Sequence, residues 1–255
     1  MRGARIVRVE LRRPDLRRPF PVDFARRLTG QTVESVTRRG KYLLAHFESG
    51  DILLVHLGMS GSFRTPTRNG HDAEADPHDH VVLELSSGLL VTFNDPRRFG
   101  VMDLVGAKDA VAHETLRALG PEPLHAAFDA AVLAKACAGK RVALKVALLD
   151  QQLVAGLGNI YASEALHHAR LSPRRRASTI ATRTGAPRDA AVRLVAGIKA
   201  VLRHAVARQE QAYRTGRFRV YEREGQPCSR RGCPGTIRRI TQAGRSTYFC
   251  PDCQR

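Results

Sequence analysis

"CSRRGCPGTIRRITQAGRSTYFCPDC", residues 228–253, holds four of the chain's five cysteines as C-x4-C, sixteen residues, then C-x2-C. A disulfide framework spreads an even set over a short secreted chain; here an odd set is clustered at one end of 255 residues. The spacing instead reads as two knuckles closing a tetrahedral Zn2+ site on Cys228, Cys233, Cys250 and Cys253 in a reducing compartment. Between the knuckles, "TIRRITQAGRSTYF" alternates and turns at Ala243-Gly244, so Arg245 is expected at or just past a hairpin tip. So small a module cannot build its own core, and the metal supplies much of its folding energy. An arginine on a rigid tip is placed to reach a phosphate.

The composition points to the same partner. Lys and Arg total 42 against 24 Asp and Glu, a formal net charge of +18. That balance suits a polyanion, since each phosphate neutralised releases condensed counterions. A ribosomal or membrane-surface role is the competing reading, and a GC-rich genome also favours arginine. No apolar run approaches the roughly 20 residues that span a bilayer. The opening "MRGARIV" has no apolar segment of the secretory kind, which favours the cytoplasm of a bacterium. Cys137, in "LAKACAG", reads as a small core residue without chemistry.

Residues 4–105 read as strands. "RIVRVEL" alternates, predicting Val7, Val9 and Leu11 on one face. "KYLLAHF", "DILLVHLGM", "HVVLELSSGLLVTF" and "VMDLV" follow, with "ESGD" and "SSG" as hairpin turns. Many short strands in succession favour a β-sandwich. After Leu104 the pattern turns helical in "DAVAHETLRAL", "FDAAVLAKACA", "VALKVALLDQQLV" and "IYASEALHHAR". Ser172-Pro173 reads as an N-cap and first helical position. Ala191, Leu194, Val195, Ile198, Val201, Leu202 and Ala205 share one stripe of an amphipathic helix. The organisation is α+β with a β domain over residues 1–105, a helical domain with linker over 106–222 and a zinc-ribbon hairpin over 223–255.

Two further stretches carry chemistry. In "DQQLVAGLGNIYASEAL" a helix ends near Leu153, glycines 156 and 158 turn the chain, and Asn159 opens the next helix. A glycine turn feeding a helix N-terminus presents backbone N–H groups to a phosphate. "HLGMSG" (56–61) and "NDPRRFG" (94–100) place Met59, Arg97 and Phe99 in turns at strand ends. A bulky apolar residue beside an arginine can be core; it is also what fills a duplex when a base leaves the stack.

Together these stretches resemble the formamidopyrimidine-DNA glycosylase (Fpg/Nei) family of base-excision repair enzymes, Fpg branch. "RRGKYLL", "HLGMSG", "HDHV", "NDPRRFG", "LGPEPL", "LLDQQLVAGLGNIYASEAL" and "GRSTYFCPDCQR" occur in order from about Gly3 to Arg255. The resemblance implies an N-terminal β-sandwich, a helix–two-turn–helix domain and a zinc-ribbon hairpin, acting as a monomer on damaged double-stranded DNA. Lys41 matches the family's catalytic lysine. Asn159 and Arg245 match the groups that grip phosphates around the lesion, with Arg245 also implicated in elimination. Met59, Arg97 and Phe99 match the void-filling triad, and His78 and Arg141 match further DNA contacts. The implied activity is a glycosylase and AP lyase on oxidised purines such as 8-oxoguanine and formamidopyrimidines, ending in β,δ-elimination.

The sequence departs from the family pattern in three places. The family's mature chain opens with Pro-Glu, whose proline amine attacks C1′ and forms an iminium while the glutamate serves as general acid. Here the chain opens "MRGARIVRVE", Pro14 is internal, and Glu10 alternates with Arg8 on a strand. The loop over residues 206–221, which in the family caps the flipped base, is shortened, and the first knuckle is x4 where x2 is also common. Two readings follow: a complete enzyme whose start codon lies upstream, or a zinc-containing binder of damaged DNA or abasic sites without turnover. A third, in which the Met1 amine or Lys41 becomes the nucleophile, lacks the helix around which the family's geometry is built.

Overall fold

The computed structural model describes residues 1–65, 76–110, 113–207 and 218–255. They fall into two units, Met1–Arg117 and Ala118–Arg255. In the first, the described residues form eight strands, β1 to β8, and three short helices. One antiparallel sheet has the order β1 (Ile6–Leu11), β6 (Asp79–Leu85), β7 (Leu90–Asn94), β5 (Ser62–Arg64). The other has the order β2 (Val33–Arg39), β3 (Tyr42–Phe47), β4 (Ile52–His56), β8 (Val101–Val105). Val81, Leu83 and Leu85 alternate inward along β6 and share one core with Phe47, Leu53 and Phe93. The β-sandwich expected from the strand pattern is therefore present. The turns at "ESGD" and "SSG" close on Gly50 and Gly88, both at positive φ.

Three local expectations are corrected. Val7 does not face inward with Val9 and Leu11. The β1–β6 register shifts between Ile6 and Arg8, so Ile6 is buried and Val7, the extra residue of a bulge, stays 40% exposed. The sandwich also contains β2 and the short helix α1 (Phe24–Leu28), neither of which the pattern announced. "VESVTRR" is too polar to read as a strand, yet it is an edge that needs only Val33 in the core. The run "DAVAHETLRAL" yields only α2 (Ala107–Ala110) and α3 (Glu114–Arg117) among the described residues.

The second unit is helical with a hairpin. It contains α4 (Ala130–Cys137), α5 (Leu144–Leu149), α6 (Asn159–Ala169), a 3-10 turn at Ala177–Ile180, α7 (Asp189–Ala207), β9 (Arg238–Gln242) and β10 (Arg245–Phe249). Asp129 caps α4 by accepting the Val132 N–H. The predicted stripe of α7 buries Ala191, Leu194, Val195 and Ile198. Gly197 on that helix lies so close to α6 that a Cβ would stand 2.9 Å from the Ala165 carbonyl oxygen. Burial keeps Cys137 inert, its thiol pushed up to about 11.

The helix expected at Ser172-Pro173 is a turn instead. Ser172 Oγ accepts the Arg174 N–H, and the carbonyls of Pro173 and Arg175 take the N–H groups of Lys145 and Leu144. Those carbonyls serve the start of α5, so they are not available to a helix of their own.

Glu164 on α6 anchors the segment leading to the cysteine module. Its carboxylate is buried and accepts three backbone N–H bonds, from Arg219, Val220 and Tyr221, at 2.9, 2.9 and 3.0 Å. Glu164→Gln turns an acceptor into a donor that faces N–H groups. We expect a loss of about 2–4 kcal/mol in chemical denaturation, with faster amide exchange at residues 219–221.

Candidate nucleic-acid interface

In the first unit, Gly40 (φ 58) and Lys41 form the two-residue turn between β2 and β3, with Arg39 paired to Tyr42 across it. Glycine in the first position of such a turn supplies the positive φ of a II′ hairpin, which leaves Lys41 at its tip, half-buried. Tyr42 faces His56 across β3 and β4, ring centroids 4.9 Å apart. Burial lowers the His56 pKa, and the charges of Lys41 and Arg17 add to the drop. Its Nδ1 accepts the Gly58 N–H at 3.0 Å, which fixes the entry to "HLGMSG".

That loop and "NDPRRFG" are held by one carboxylate. Asp95 is fully buried; one oxygen accepts the Ser60 hydroxyl at 2.5 Å and the other the Gly100 N–H at 2.7 Å. Ser60 Oγ in turn accepts the Arg97 N–H at 3.1 Å. With the backbones fixed, Met59 is left 68% exposed and Phe99 39% exposed, and the Arg97 guanidinium lies 4.7 Å from the Phe99 ring centre. Three solvent-facing groups on a buried polar brace are not core. His78 is exposed where β6 begins, its carbonyl accepting the Asp95 N–H.

Gly58 shows how tightly the two loops meet. It sits at φ +67, and a Cβ there would lie 2.5–2.7 Å from backbone atoms of Phe99 and Gly100. Gly58→Ala is expected to cost roughly 2–4 kcal/mol through left-handed strain and forced separation of the loops. Equilibrium urea unfolding measures it, and an unchanged midpoint would contradict this packing.

In the second unit, α5 ends at Leu149 rather than near Leu153, and the two turns that follow are stitched by Gln151. Its Nε2 donates to the carbonyls of Leu149 and Leu157, and its Oε1 accepts the Gly156 N–H. Gly158 then caps α6 in extended backbone with no side-chain cap, so Asn159 opens the helix as expected. Arg245 opens β10, paired with Gln242 across Ala243 (φ 47) and Gly244 (φ 71). Both positive φ values mark a I′ turn, with Arg245 exposed immediately beyond it. Arg141 is exposed just before α5.

Lys145 joins these parts. Its Nζ donates to Asn159 Oδ1 at 2.6 Å, Thr247 Oγ1 at 2.7 Å and the Ser246 carbonyl at 3.0 Å. Asn159 Nδ2 donates to the same carbonyl at 3.0 Å. The side chain is 0% exposed, and burial pushes its pKa down to about 8, with the Arg245 charge contributing. All three ammonium protons meet neutral acceptors. The charge is therefore held without a carboxylate to cancel it. The sequence reading assigned Lys145 no such role; a lysine inside the apolar run "VALKVALL" was the signal.

The four cysteines form one cluster, their Sγ atoms all within 4.8 Å of one another. Cys228 and Cys253 are 3.8 Å apart and Cys233 and Cys250 3.6 Å apart. Zinc–thiolate bonds of about 2.3 Å in a tetrahedron set sulfurs about 3.8 Å apart, so the geometry fits. Gly235 makes room, since a Cβ there would stand 2.6 Å from Cys250 Sγ. The chain has one structural zinc site. The base-capping loop read over residues 206–221 falls largely on residues 208–217, outside the described residues.

Three family models match the chain in order. They are the formamidopyrimidine-DNA glycosylase N-terminal domain over residues 1–102, the H2TH domain of the same enzymes over 119–216, and a zinc finger found in FPG and IleRS over 225–255. The chain is 52% identical to the formamidopyrimidine-DNA glycosylase of Afipia carboxidovorans, covering 100% of this chain and 94% of that one. It is 54% identical, with the same coverage, to that of Rhodopseudomonas palustris. Among solved structures it is similar to the Lactococcus lactis enzyme bound non-covalently to DNA with an AP site, at TM-score 0.87 and 30% identity over 99% of this chain and 93% of that one. It is also similar to MutM in complex with DNA containing carbocyclic 8-oxo-G, at TM-score 0.85 and 31% identity with the same coverage.

Proposed function

The chain belongs to the formamidopyrimidine-DNA glycosylase family, and from that membership we infer a base-excision-repair DNA glycosylase that acts on damaged duplex DNA. Relatives crystallised with AP-site, formamidopyrimidine and 8-oxoguanine DNA support oxidised purines as its substrates and AP lyase as its second activity. Bacterial relatives support a cytoplasmic, DNA-associated protein; we take it to act as a monomer. Among the described residues no helix is long and apolar enough to cross a membrane.

The roles divide among three segments, 1–105, 106–222 and 223–255. Met59, Arg97 and Phe99 fill the duplex where the damaged nucleotide leaves it, with His78 and Arg141 on the backbone. Asn159 and Arg245 grip phosphates at the lesion, and Arg245 and Lys41 assist elimination. Zinc supplies rigidity to the hairpin, while Lys145 orients Asn159 and the Ser246 carbonyl. The observation that carries this reading is the Lys145 bridge. It fixes a helix N-terminus and a hairpin arginine in one frame, as a phosphate clamp requires.

Residues 1–255 do not contain the family's Pro-Glu opening, so the nucleophilic amine is the point to locate. Borohydride trapping on abasic and 8-oxoguanine duplexes, followed by peptide mass spectrometry of protein from its own cells, does so. An adduct on an N-terminal proline, with incision that falls in Lys41→Ala, is the expected result. Binding without adduct or incision would leave the non-catalytic reading; an adduct on Met1 or Lys41 would move the chemistry there.

A further inference from the structure

The first zinc knuckle sits on the C-terminal end of α6. Arg230, inside the four-residue span between Cys228 and Cys233, donates to the His167 carbonyl at 2.6 Å. A helix leaves its last carbonyls unsatisfied, and a cation there also meets the negative end of its dipole. The side chain of the same residue is fully buried, with Nε2 3.4 Å from Cys228 Sγ. Its Nδ1 is buried without a hydrogen-bond partner.

A zinc-bound thiolate only accepts, so the hydrogen of a neutral ring belongs on Nε2. Placed on Nδ1 it would be a buried donor with no acceptor, and the Nε2 lone pair would face the sulfur. We propose that His167 is a positioning residue of the zinc centre, whose Nε2–H donates to the Cys228 thiolate and fixes the first knuckle to α6. The opposite end of that helix carries Asn159, so one rigid element is attached to the hairpin module at both ends. The donor also draws charge from the sulfur, which slows its protonation and release from the metal.

The role rests on the zinc site, and the test separates the two. Metal analysis of the wild-type chain is expected to give one zinc per protein; none would overturn the site and this role together. His167→Phe removes the donor, and His167→Gln keeps an N–H at about the same reach. Zinc transfer to a chromophoric chelator is expected to quicken about 10- to 100-fold in the Phe variant and to stay near wild type in the Gln variant. With Co2+ in the site, the thiolate-to-metal charge-transfer band should move to lower energy in the Phe variant alone. Nitrogen-15 histidine spectra of the wild-type zinc protein read the tautomer without substitution, should the Phe variant not fold. An Nδ1–H tautomer, or wild-type transfer and an unmoved band in a folded Phe variant, would overturn the proposal.

Discussion

Removing the metal, or replacing Cys250 with serine, is expected to unfold residues 225–255 while the helices remain. The buried cluster of this module is Val220, Cys228, Ile237 and Cys250, with Cys233, Tyr248 and Cys253 packed on it. Four of those seven residues are the metal's own ligands, which leaves too little apolar surface to order the segment without zinc. The helical core is separate, built on residues such as Leu133, Leu148, Leu166, Leu194 and Ile198. Exchange mass spectrometry should therefore show lost protection across 225–255 and nearly unchanged protection in α4 and α7. Affinity for abasic duplex should fall by at least about 100-fold. Arg245 and the Ser246 end of the Lys145 bridge are lost together, and bonds to charged groups contribute roughly 1.5–3 kcal/mol each. A uniform loss of protection would mean that the metal holds the whole unit; intact DNA binding would deny the hairpin its role.

What could be read in the sequence were the features written in local spacing. Cysteine intervals specify the knuckles, Ala243-Gly244 the I′ turn, and the apolar stripe after Pro187 the longest helix. What escaped depends on partners far along the chain. The β1 bulge answers to the pairing with β6 and leaves no trace in an alternation that looks unbroken. One miss is local instead: the helical pattern of "VALKVALLDQQLV" outruns the real helix because Gln151 turns inward to bond backbone at Leu149, Gly156 and Leu157, contacts that periodicity alone does not register. Asp95 looks like a turn residue, and its work as a brace needs Ser60, 35 residues away. Lys145 is the extreme case. Its partners lie 14, 101 and 102 residues distant, and a run with a helical period gives no hint of them beyond one misplaced charge.

Lys145→Met should separate stability from function. The buried ammonium is disfavoured relative to an unfolded chain, in which the amine titrates near 10.5; in the fold it titrates near 8. That difference is roughly 3 kcal/mol against folding at pH 7. Methionine fills a similar volume without the charge, so its thermal stability at pH 7 is expected to match or exceed wild type. The sign follows from proton counts. Below about pH 8 both states hold the proton and the penalty is complete; between about 8 and 10.5 only the unfolded state holds it, so wild-type stability gains on the variant as pH rises. Function runs the other way. Without three donors, Asn159, Thr247 and the Ser246 carbonyl lose their common tether, and a clamp displaced by about 1 Å can lose on the order of 100-fold in rate. Wild-type affinity for abasic duplex should also fall as pH climbs through about 8, because nearby phosphates favour the protonated amine, and this step should be missing from Lys145→Met. Paired titrations of melting temperature and duplex affinity test both halves. A variant that binds and incises like wild type would reduce the bridge to packing, whereas one that unfolds would show that the three hydrogen bonds outweigh the desolvation they accompany.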